Sequence, residues 1–83
     1  MQQLDKENLK LFGKIIKDIR CKKSNSLNKL AFSRGGVTSA TLSRIENGLV
    51  DFKFSTLIKL AYTLEIPLSD IFKNVNFKMP EEL

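Results

Sequence analysis

From Asp5 to Lys23, Leu9, Phe12, Ile15, Ile16 and Ile19 recur at the three-and-four spacing of a helix buried along one side. Asp5 is placed to cap its start, and Ser24-Asn25-Ser26 supplies the turn and cap residues that end it. A shorter stretch, Leu27 to Arg34, sets Leu27, Leu30 and Ala31 on one face. Gly35-Gly36 stops it, because glycine supplies the positive φ of a sharp turn. Thr38 or Ser39 opens a third stretch, with Leu42 and Ile45 inward and Asn47-Gly48 at its close. After an irregular link from Leu49 to Phe54, Ser55 is expected to cap a fourth helix whose inward residues are Leu57, Leu60, Ala61 and Leu64. Pro67 breaks that helix, and Leu68 to Phe72 reads as a short fifth with Ser69 or Asp70 near its start. Only Val75 to Met79 hints at period two. The pattern predicts an all-α chain of five short helices around one core.

Composition narrows the chemistry. Eighty-three residues hold one small domain, and 42% apolar with 28% charged residues is the balance of a globular chain. No apolar run reaches the ~18 residues of a membrane span, and the first residues lack the basic-then-apolar layout of a signal peptide. The single cysteine, Cys21, makes no internal disulfide, which points to a reducing cytoplasm. Histidine is absent. With one thiol and no imidazole, zinc sites and Ser-His or Cys-His nucleophiles are all but excluded, so neither metal, cofactor nor enzymatic activity is expected.

Charge adds the first positive clue. The net charge is +5, and residues 1–48 carry ten basic against four acidic side chains. The remaining residues carry four against five. A basic half beside a near-neutral half suits a polyanion, nucleic acid before membrane.

Two helices joined by a tight glycine turn suit a helix-turn-helix, whose second helix enters a major groove about 12 Å wide. The outward face of that helix must be polar and slender at its first turn. Thr38 to Asn47 meets this with hydroxyls, one methyl and one Arg outward. Ser and Thr are mediocre helix formers, so four of them within residues 38–43 carry a local cost that an ordinary solvated helix has no reason to bear.

Leu30-Ala31, a glycine turn, then Thr41-Leu42-Ser43-Arg44-Ile45-Glu46-Asn47-Gly48 resembles the repressor–Cro helix-turn-helix family of bacterial and phage regulators. Phe12-Gly13, Arg20, Ser55-Thr56-Leu57 with Leu60-Ala61, and Leu64-Glu65-Ile66-Pro67-Leu68-Ser69-Asp70-Ile71-Phe72 fit the same pattern, so the likeness covers roughly residues 9–73. It implies a five-helix, lambda-repressor-like DNA-binding domain over residues 1–73, with the helix-turn-helix in the second and third helices and a tail at 74–83. Three positions depart from the family. Leu27 stands where Gln usually reaches phosphate, Gly35 lengthens the turn by one residue, and Phe52 replaces a frequent proline.

The resemblance assigns Ser39, Ala40, Ser43 and Arg44 to base edges. Arg44 either pairs with guanine O6 and N7 or grips a phosphate, and Ala40 offers a methyl to thymine. Thr38, Thr41, Asn28, Lys29, Asn47 and Lys53 are the phosphate set, and a solvated surface charge is the alternative for each lysine. Arg20 and Glu46 are implied to form an ion pair tying the first helix to the end of the third. A homodimer on two half-sites is the expected assembly, with Ile71, Phe72, Val75, Phe77 and Met79 as its surface; a tail that folds back on its own core is the alternative. Competing functions are an antitoxin-like or other protein-binding module on the same fold, and a restriction–modification controller.

Overall fold

The computed structural model describes residues 2–23, 35–73 and 75–80. Among these the chain forms four helices and no strand: α1 (Gln3–Lys23), α2 (Ser39–Glu46), α3 (Phe54–Leu64) and α4 (Leu68–Ile71). They correspond to the first, third, fourth and fifth stretches expected from the pattern. The expected second helix, with Asn28 and Lys29, lies outside the described residues.

The boundaries shift where capping chemistry differs from expectation. α1 starts before Asp5, which therefore sits inside the first turn, where a carboxylate favours the positive end of the helix, rather than at the cap. Arg20, Lys22 and Lys23 occupy the last turn, the complementary arrangement. α3 is entered from Lys53, whose extended backbone (φ −75°, ψ 158°) takes the cap position in place of Ser55. The amides of Thr56 and Leu57 bond to the Lys53 carbonyl, so Ser55 already lies within the first turn. α3 ends in left-handed Glu65 (φ 58°), with Glu65 N–H bonded to Tyr62 O and Ile66 N–H to Ala61 O. These paired bonds satisfy the last carbonyls before Pro67 turns the chain into α4.

Phe12, Ile16, Val37, Leu42, Ile45, Leu60, Ala61, Leu64 and Ile71 form the buried core. Ile71 is only 1% exposed, so it belongs to this core and is withdrawn from the expected dimer surface. Thr63 is the one buried polar residue among those described. Its hydroxyl accepts from Val37 N–H and donates to Lys59 O, both at 2.9 Å, and so ties the entry of α2 to α3.

The weak alternation at Val75–Met79 does not form a strand. That segment lies against α1 instead, where Asn8 acts as a two-point clamp. Its Nδ2 donates to Lys78 O at 2.8 Å, and its Oδ1 accepts from Lys78 N–H at 2.7 Å. Lys78 Nζ also stands 3.5 Å from Glu7. Phe52, Phe12, Phe72 and Phe77 follow one another as tilted and edge-on rings, with centroids 5.2, 5.8 and 6.2 Å apart, which draws the tail onto the core. The tail therefore folds back on its own domain, the alternative to a purely outward surface.

Candidate nucleic-acid interface

α2 is held at both ends by its own side chains. Thr38 caps the start in an extended conformation; its Oγ1 accepts from Thr41 N–H at 3.1 Å and donates to Thr41 Oγ1 at 3.0 Å. Asn47 Nδ2 donates to Ser43 O at 2.8 Å. Gly48, at φ +67°, then bonds to Ile45 O, and Leu49 N–H reaches Arg44 O. The left-handed glycine closes the helix by satisfying carbonyls that would otherwise be orphaned.

Between these caps the two faces separate as expected. Leu42 and Ile45 are buried, while Ser39, Ala40, Ser43, Arg44 and Asn47 are exposed together, with Thr38 at the leading edge and Thr41 half-buried. Arg44 has no hydrogen-bond or ion-pair partner among the described residues. Thr38 and Asn47 have a first duty as caps, so each keeps only its remaining hydrogen-bonding capacity for a ligand. Lys53 lies exposed at the entry of α3, and the start of α3 presents amides with no helical partner.

Arg20 and Glu46 form the expected ion pair, in bidentate form: Nε to Oε2 at 2.5 Å and Nη2 to Oε1 at 3.0 Å. The Glu46 side chain is 9% exposed and that of Arg20 33%, so the acid is turned inward and the base keeps one edge in water. The hydrogen bond to Glu46 holds the Arg20 pKa above its ordinary value, against the partial burial that opposes it. Both residues border a shallow groove with Ser39, Leu42 and Ser43, so the pair fixes the attitude of the exposed face without joining its chemistry.

Of the residues expected at a dimer surface, Phe72 and Met79 are exposed, Met79 by 65%, while Val75 and Phe77 are half-buried. Sequence reasoning passed over Phe54, Ile58 and Tyr62, which stand four residues apart and exposed on α3, Phe54 by 71%. Their signal was an apolar arc wider than one core face requires. It also passed over Thr63, whose burial no periodicity announces.

Among the described residues no three His, Cys, Asp or Glu side chains gather as a metal site, and no helix is long and apolar enough to cross a membrane.

A capped, polar-faced helix braced on a long first helix, among described residues whose only regular elements are helices, is consistent with a helix-turn-helix protein. Comparison with protein-family models matches residues 16–71 to the helix-turn-helix family of the Cro/C1 type, and the chain belongs to that family. The family is one of DNA-binding transcriptional regulators, and double-stranded DNA is the partner it implies. Searches of curated proteins and of solved structures return no match.

Proposed function

We propose that the protein is a sequence-specific transcriptional regulator, a repressor that binds a two-fold-symmetric operator as a homodimer. The observation that carries this reading is the exposed Ser39–Ala40–Ser43–Arg44 face, whose guanidinium has no partner among the described residues. Hydroxyls, lysines and helix-start amides hold the duplex by its phosphates, and the α2 face reads base edges in the major groove. One module reads too few base pairs to stand out from a genome of competing sites, which favours two copies about one helical turn apart. Phe72, Val75, Phe77 and Met79 are the proposed contact between copies, with Phe77 contributing only its outer edge. The reading places the protein in the cytoplasm and requires no cofactor.

The test is selection from a pool of random duplexes at two salt concentrations. Enrichment of a symmetric site, weakened by Arg44→Ala, supports the reading. Weak, sequence-indifferent retention that disappears with salt removes it.

The apolar stripe Phe54–Ile58–Tyr62 favours a second reading, in which the fold also holds a partner protein, as an antitoxin-like module would. That reading predicts that Tyr62→Glu abolishes a co-purifying complex while leaving DNA binding intact.

A further inference from the structure

Lys6, Lys10, Lys14 and Lys17 fall four, four and three residues apart, so they stand in one row along α1. All four are exposed, and none has an ion pair among the described residues. Gln3 and Cys21 continue the row at either end, so its line contains no apolar side chain of the kind a membrane surface would draw in.

The row lies next to the recognition helix. Gly48, which closes α2, sits against Cα and Cγ of Lys10, and Gly13, between Lys10 and Lys14, packs under the Ile45 and Glu46 carbonyls. Arg20, one turn beyond Lys17, is already at the edge of the α2 face. Basic surface therefore runs on from that face along α1. The family match begins at residue 16, so Lys6, Lys10 and Lys14 are carried by the part of α1 that precedes it.

We infer that this lysine row is a second DNA contact, one that grips the phosphate backbone flanking the half-site read by α2. The inference rests on the DNA-binding reading and extends it. At about 1.5 Å per residue the row spans roughly 16 Å, the length of about five base pairs of duplex. It adds affinity and footprint but no base preference, because lysines on phosphate carry no sequence information. The earlier helix-turn-helix residues alone would give a footprint ending at the half-site; the row lengthens it on one side.

The experiment compares the full chain with Lys6→Gln/Lys14→Gln and with a charge-matched control, Lys22→Gln/Lys73→Gln, on the selected duplex. Lys10 is kept because its stem packs against Gly48. Each phosphate contact contributes about 0.9 to the slope of log affinity against log salt, so the row variant should lose about 2 per protomer and the control almost nothing. Trimming about five base pairs of flank should flatten the wild-type slope by about 4 per protomer and that of the row variant, which keeps Lys10 and Lys17, by about 2. Equal slopes for the row variant and the control overturn the inference while the DNA-binding reading stands. Failure of the wild-type chain to bind any duplex overturns both.

Discussion

A methyl group on Gly13 would sit 2.4 Å from the carbonyl oxygen of Ile45 and 2.5 Å from that of Glu46. Backbone meets backbone here, and no side chain is available to move aside. In most helix interiors Gly→Ala stabilises, by about 1 kcal/mol. At this position the sign reverses: Gly13→Ala should destabilise by about 1–3 kcal/mol through overpacking, as α1 and α2 are forced apart. Urea denaturation measures it, and a stabilised variant would show that the two helices are not in this contact.

Thr63 offers a cleaner test of a single hydrogen bond. Thr63→Val keeps shape but leaves the Val37 N–H unpaired in the core, a loss of about 1–3 kcal/mol. Thr63→Ser retains the hydroxyl and should recover most of that difference. Hydrogen exchange at Val37 should quicken in the valine variant alone.

Arg20→Met would leave Glu46 turned inward without its partner. Because Arg20 keeps an edge in water, we expect a cost of about 1–3 kcal/mol, below that of a fully buried pair. The pKa of Arg20 is raised, so its stabilising contribution is fully present below the unfolded arginine value and is lost only as pH rises through the higher folded one. Its share of stability should therefore be level between about pH 6 and about pH 9, which paired denaturation curves at several pH values will check.

Capping and DNA contact can be separated at Thr38. Thr38→Ala should lose about 1 kcal/mol of stability together with DNA affinity. Thr38→Asp should keep the cap and the stability yet weaken DNA binding, since its carboxylate would face phosphates. If Thr38→Asp binds duplex as well as wild type, Thr38 is a cap and nothing more.

Met79→Glu should lower self-association in sedimentation, because Met79 is the most exposed large apolar residue of the described part of the tail. Ile58→Glu should not. The opposite pattern would move the contact between copies to the α3 stripe.

The inward faces of α2 and α3 were legible because Leu42, Ile45, Leu60, Ala61 and Leu64 follow helical spacing and helical spacing decides burial. The Arg20–Glu46 pair was legible only through family resemblance, since nothing local joins residues 26 apart. Ser55 misled because a good capping residue is a preference, whereas the helix starts where the amides of Thr56 and Leu57 find the Lys53 carbonyl, two residues earlier. Ile71 misled because apolar residues near a chain end read alike whether they face a partner or their own core. The Asn8 clamp was invisible, as its two hydrogen bonds span 70 residues.

That clamp gives the molecule a splint. Asn8 lies between Lys6 and Lys10, and what holds it is the opposite end of the described chain. Cutting away residues 75–80 would remove both bonds and the Phe77 edge at once, leaving the opening turns of α1 to fray as an isolated helix end. The lysines there would then be mobile charges on a loose arm rather than an ordered comb, and their spacing would no longer be set by the helix. How far this protein reaches along a duplex is thus governed by residues that need never touch it.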